Sequence, residues 1–214
     1  LPYKKDKYDR FSASESLAFQ MKFLQKPVVN IWASMIKNEL SAKYPAIKFR
    51  EKKYRFIPTY DIDSAFAFRH KGFVRTMGGY AKSIASLDFD EIAERTKVLA
   101  GTNKDPFDTF DLQFKLQKKY DLSPLYFILF ARYGQYDKNI NILNGSFHSL
   151  LKSIADYAPV GIHPSFASNS NAARLQSEIS ALSGVLNREV FQSRQHFLKL
   201  SFPATFRNLI DADI

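Results

Sequence analysis

The chain of 214 residues contains no cysteine. That excludes a disulfide framework, an iron–sulfur cluster, a thiolate zinc site and a cysteine nucleophile. No apolar run approaches the roughly 20 residues a membrane-spanning helix needs, so no membrane partner is read. Zinc-finger spacing, an RNP-type aromatic motif and a convincing helix-turn-helix are all missing, which argues against specific nucleic-acid binding. Gly78-Gly79 is followed by no Lys-Ser/Thr pair, so it is not a phosphate loop. Ser165 lacks a nucleophile elbow, which removes the serine-hydrolase reading. The chain opens Leu-Pro-Tyr-Lys-Lys with no initiator Met, signal peptide or lipidation motif and reads as a piece of a longer protein. Its compartment is left open, with the cytoplasm slightly favoured.

What is present is a globular composition. Aromatic residues make up 15%, including 20 Phe and 11 Tyr, enough to fill a large core or line a cleft. The net charge is +10. Residues 1–53 hold 12 basic and 5 acidic residues, the remainder 19 and 16, so the excess belongs mainly to the N-terminal quarter. Without a nucleic-acid motif beside it, this basic segment reads as a solvated face.

Two helices are expected first. Ser12-Ala-Ser-Glu15 has the form of a capping box, followed by Leu17, Met21 and Leu24 at helical spacing. Val28, Ile31, Trp32, Met35, Ile36 and Leu40 then form one apolar stripe, which Tyr44-Pro45 ends. Residues 1–52 read as the end of an upstream domain. From Lys53 the pattern becomes alternating strands and helices. Strands are expected at Tyr54–Ile62, Leu125–Ala131, Pro159–Pro164 and Glu189–Leu198. A helix is expected over Phe89–Leu99 with Gly101 ending it, and another capped by Asp108 and running to Tyr120. Further helices should start at Ser146, carry Leu175, Ile179, Leu182 and Leu186 inward, and close the chain after Pro203. This alternation predicts an α/β fold with about four parallel strands, preceded by the two N-terminal helices.

In such sheets function gathers beyond the carboxyl ends of the strands. Asp61 and Asp63 end the first strand, two residues apart and therefore on one face of an extended chain. His163 ends the third, and Arg194 and His196 the fourth. Carboxylates with imidazoles suit a divalent metal such as zinc. One Asp could ligate it while the other takes a proton, with the Arg holding that base ionised. Each residue also has an ordinary structural reading: Asp63 as a helix cap, His163 as a hydrogen-bonding residue, Arg194 as a surface ion pair. Their convergence at three strand ends favours a joint site. His70 and His148 lack partners at ligand spacing and read as surface residues, while Asn169 and Asn171 suit either sugar contacts or plain turns.

The runs Thr59-Tyr-Asp61-Ile-Asp63, His163-Pro-Ser165 and Ser193-Arg194-Gln-His196-Phe197, in that order, resemble the polysaccharide deacetylase superfamily, the NodB-homology group of carbohydrate esterases. The resemblance covers residues 53–214 and looks closest to a divergent bacterial branch with an extra N-terminal domain. It implies a distorted (β/α) barrel of deacetylase type, here only its N-terminal portion, that removes N- or O-acetyl groups from a glycan with a zinc-type metal. By analogy Asp61 would be the base, Asp63 and His163 metal ligands, Arg194 the orienter of the base, and Ser165 and Asn169 substrate contacts. Ile62 separates two Asp residues that are adjacent in the family, so the two roles could be exchanged. The family's second His falls on Ala167, so a third ligand must come from elsewhere: His196, or less directly Asn169 or Ser168. Fewer strands than a full barrel implies either a fragment or a half-barrel that covers its open edges with a second copy. The alternative function is a non-catalytic carbohydrate-binding or structural module on a degenerate deacetylase fold.

Overall fold

A computed structural model describes residues 3–51 and 53–214. Leu1, Pro2 and Lys52, the expected last residue of the N-terminal segment, lie outside the described residues. The chain divides into two compact units, Leu1–Phe56 and Ile57–Ile214.

In the first unit the Asp6 carboxylate gathers a tight turn by accepting the N–H groups of Tyr8 and Arg10 and the Arg10 side chain. The expected capping box does not form. Ser12 spends its hydroxyl on Ser14, residues Ala13–Glu15 make a 3-10 turn, and α1 (Leu17–Gln20) lasts a single turn. Met21 and Leu24 therefore lie beyond it. Helix α2 (Val28–Lys43) follows the apolar stripe and ends at Tyr44, before Pro45. None of its residues is buried, and Trp32 and Met35 are exposed.

The second unit is α/β. Its strands are β1 (Thr59–Ile62), β2 (Leu125–Ile128) and β3 (Val160–Ile162), parallel and in the order β1-β2-β3. Its helices are α3 (Phe73–Ala85), α4 (Phe89–Leu99), α5 (Phe110–Tyr120), α6 (Gly145–Tyr157), α7 (Ala172–Leu186) and α8 (Ala204–Ile210). Side-chain caps start three of them: Asp88 accepts from Glu91 N–H, Asn144 from Phe147 N–H and Asn171 from Arg174 N–H. Asn171 is thus a cap. The expected Asp108 cap is not made, because α5 begins after Thr109. No helix among the described residues is long and apolar enough to cross a membrane.

Strand alternation assigns the faces of the sheet. Ile62, Tyr126, Ile128, Phe130 and Ile162 share one core with Phe147, Leu151 and Ile154 of α6 and Leu175, Ile179 and Leu182 of α7. At roughly 1.5–3 kcal/mol per fully buried large apolar side chain, this layer supplies the main stabilisation of the unit. The opposite parity carries Asp61, Phe127 and Gly161, which are paired in register across the three strands.

The fourth expected strand shrinks to one parallel bridge between Ile162 and Ser193. Ile162 N–H donates to the Gln192 carbonyl and Arg194 N–H donates back to Ile162. Gly161 makes this close approach possible, since a Cβ there would lie 2.6 Å from the Gln192 carbonyl oxygen and 2.9 Å from the Phe127 ring. Beyond Ser193 extended pairing stops. His196–Leu198 tighten into a 3-10 turn in which Phe197 and Leu198 take φ of 59° and 51°.

Helix α3 lies between β1 and Phe89, a stretch in which no helix is expected from the sequence, and Gly78-Gly79 sits inside it. The absent side chain of Gly79 leaves room for the guanidinium of Arg95 from α4. That guanidinium pairs with Glu91 and lies over the rings of Phe68 and Tyr80.

Candidate metal centre

The site is built by the row of residues just beyond the aligned isoleucines. Ile62, Ile128 and Ile162 stand in register, with Ser193 bridged to the last. The ladder runs one step further: Leu129 N–H donates to Ile62, His163 N–H to Ile128 and Arg194 N–H to Ile162. Asp63, His163 and Arg194 therefore leave the sheet at one level, although 131 residues separate the first and last. Two buried polar residues hold the loops that follow. Asn139 accepts from Ala65 N–H and Ile140 N–H and donates to the Leu129 carbonyl. Asp105 accepts four backbone N–H groups, those of Ala67, Phe68, Arg69 and Phe107.

Asp63, His163 and His196 form a cluster able to hold a metal ion, their candidate ligand atoms all within 4.8 Å of one another. Asp63 Oδ1 lies 3.2 Å from His163 Nε2 and 3.7 Å from His196 Nε2. Ligands at 2.0–2.1 Å from a tetrahedral zinc would be about 3.3 Å apart, so both separations fit. The far nitrogen of each ring is already committed. His163 Nδ1 donates to the Arg194 carbonyl, and His196 Nδ1 faces Asp137 Oδ1 at 2.9 Å. Those acceptors place a proton on Nδ1 and aim Nε2 at the shared point, the usual arrangement behind histidine ligands. Both imidazoles are buried, while the Asp63 side chain is 61% exposed, so the cluster opens to solvent on its carboxylate side. The hydrogen bond from His163 outweighs burial and, with the charges of His163 and His196, holds the Asp63 carboxyl below its usual value.

Asp61 faces a different partner. Its Oδ1 accepts from Arg194 Nη1 at 3.0 Å, and the guanidinium lies 4.6 Å from the Phe127 ring centroid. Glycine at 161 keeps that face of β3 free of a side chain. Arg194 thus serves both carboxylates: its side chain fixes Asp61 and its carbonyl fixes the ring that faces Asp63. The other sequence candidates do not join the cluster. Ser165 is buried, and its hydroxyl accepts from Ser168 N–H to start the Phe166–Ser170 turn. Asn169 donates to the Lys199 carbonyl, and the Ser168 hydroxyl donates to the Ser165 carbonyl. His148 bonds the Ile142 carbonyl, and His70 packs edge-on against Phe66.

Asp137 is the functional residue that sequence reasoning missed. It lies in the loop after β2, is buried, and accepts from Phe166 N–H as well as facing His196. No spacing relates it to the histidine it orients 59 residues later.

Residues 1–45 match a model described as a family of unknown function, DUF7033. No curated protein and no solved structure matches the chain. The match lies within the first unit, and every residue of the cluster lies in the second.

Proposed function

We propose that the second unit carries the metal-dependent hydrolase centre of a polysaccharide deacetylase-like enzyme, acting on N- or O-acetyl groups of a glycan. The observation that carries this reading is the division of labour between the two aspartates. Asp63 joins two oriented histidines, while Asp61 sits beside them on an arginine. Asp63, His163 and His196 would hold a divalent ion, zinc by the chemistry of one oxygen and two imidazole nitrogens. When bound, such an ion supplies Lewis-acid polarisation of the acetyl carbonyl and of water. Asp61 then acts as general base: Arg194 occupies Oδ1 and fixes the carboxylate's orientation, leaving Oδ2 to take the proton from water. Asp137 and the Arg194 carbonyl keep the imidazoles turned toward the ion. On this reading the three strands and the Ser193 bridge are the opening part of a (β/α) barrel.

The test is acetate release from N-acetyl chito-oligosaccharides and acetylated xylan by the zinc-loaded chain, with Asp61→Asn beside wild type. Wild type should release acetate from one of them, and the variant should lose about 100-fold or more of the rate while keeping its metal. A folded, zinc-loaded wild type that releases none but still binds the glycan would replace this reading with the non-catalytic carbohydrate module.

A further inference from the structure

Two cavities open along the loop that follows β2. One, of about 290 Å³, is lined by Phe130, Arg132, Ser165, Arg174 and Glu178. The other, of about 410 Å³, is lined by Lys71, Arg75, Arg132 and Tyr133. Arg132 and Ile142 belong to both walls. Together the cavities are of the size that holds a small ligand or one or two sugar rings.

Their charge is one-sided. Four cationic side chains line them, against the single carboxylate of Glu178. Among the described residues, no carboxylate stands within ion-pair distance of Lys71, Arg75, Arg132 or Arg174. Arg75 is held in place by donating to the Asn139 and Lys138 carbonyls and by stacking 4.1 Å from the Tyr133 ring centroid. Glu178 is the one opposing group: its Oε2 accepts from Ser165 N–H, and burial, with the nearby Asp137 charge, pushes its pKa up against the Ser165 hydrogen bonds and the Arg174 charge.

The groove also adjoins the metal centre. Ser165 N–H is bound by Glu178 on the cavity wall, and the next N–H, Phe166, by Asp137 behind His196. Two adjacent peptide groups thus connect the cavity to the outer layer of the cluster.

We propose that Arg132, with Arg174 on one side and Lys71 and Arg75 on the other, forms an anion-binding subsite for an acidic saccharide, one bearing a carboxylate, sulfate or phosphate. Guanidinium forks recognise such oxyanions through paired charge-assisted hydrogen bonds. That the same saccharide presents its acetyl group at Asp61 and Asp63 rests on the proposed function; anion binding itself does not.

The test is calorimetric titration of trigalacturonate into the full chain, with inorganic phosphate as competitor. Wild type is compared with Arg132→Gln/Arg174→Gln and with the charge-matched Lys118→Gln/Lys119→Gln on the exposed side of α5. The groove variant should lose about tenfold or more in affinity and the control less than about twofold. Phosphate and salt should both weaken wild-type binding. Absence of binding to wild type, equal losses in the two double variants, or binding indifferent to phosphate and salt would each overturn the proposal. Thermal melts establish that the variants fold, and Arg132→Lys, which keeps the charge but not the fork, should fall between wild type and the double variant. Asp63→Asn should keep anion binding even where it abolishes turnover, so failure of the hydrolase reading and failure of the subsite are told apart.

Discussion

Asp63 and Asp105 are carboxylates that follow β1 and α4 respectively, and each gathers several donors, yet they do different work. Asp105 is 2% exposed, and its two oxygens accept four backbone N–H groups at 2.7–3.0 Å. Every lone pair it can use is taken, and all its partners are main chain. It closes a loop. Asp63 is mostly exposed, and one oxygen faces two imidazole nitrogens whose rings are fixed from behind. Arg95 is also enclosed, paired with Glu91 and set against two rings, but its buried Nε is left without a partner. A polar cluster whose bonds are internally complete is architecture, whereas one whose oriented lone pairs converge on a point open to solvent can take a ligand.

Substitutions sharpen that contrast. His163→Ala should lower zinc affinity by more than about 100-fold, measured by competition with a chelator, because it removes a ligand and not merely its support. Asp105→Ala should leave zinc binding nearly intact but cost about 3 kcal/mol in urea unfolding, since four buried N–H groups lose a charged acceptor. If Asp105→Ala instead removed the metal while leaving stability unchanged, the distinction between the two carboxylates would collapse. Asp137→Asn should weaken zinc binding by about 10-fold, the range expected for a residue that orients a ligand from behind. Gly79→Ala pushes a methyl group against the buried Arg95 guanidinium, and its thermal melt should show a net loss of about 1–2 kcal/mol despite the better helix propensity of alanine.

The smallest effect is pH-dependent. Burial raises the pKa of Asp105, but its four N–H bonds outweigh this and leave the folded value below 3.8. The stability it adds is therefore complete above that unfolded value and is lost as pH falls through the lower, folded one. Acid unfolding of Asp105→Asn should lack this component, and the gap between the wild-type and variant stability curves should close as pH falls through the folded value.

The strand ends were readable because parallel strands give apolar runs that stop abruptly: Asp63 and His163 follow such stops, while Asp61 lies inside β1 and Arg194 and His196 follow the Ser193 bridge. The length of the fourth strand was not. Glu189 to Leu198 reads as extended, but His196 turns inward to Asp137 and Asp63, and the positive φ angles of Phe197 and Leu198 accompany that turn. Helix α3 was hidden by Gly78-Gly79, whose low helix propensity is overridden by the packing of Arg95. The Ser12 cap fails for a local reason: the Glu15 N–H donates to the Ser12 carbonyl, and the Ser12 hydroxyl lies against that of Ser14. Asp137 had no periodic signal at all: a loop carboxylate acquires its role only when the fold carries a distant histidine to it.

Metal content of the purified full chain, by elemental analysis after zinc loading and dialysis, tests the central claim most directly. Wild type and Asp105→Asn should each retain close to one zinc per chain, and Asp63→Ala should retain almost none. Equal zinc in wild type and Asp63→Ala, or none in a folded wild type, would contradict the assignment of Asp63, His163 and His196 as a metal centre.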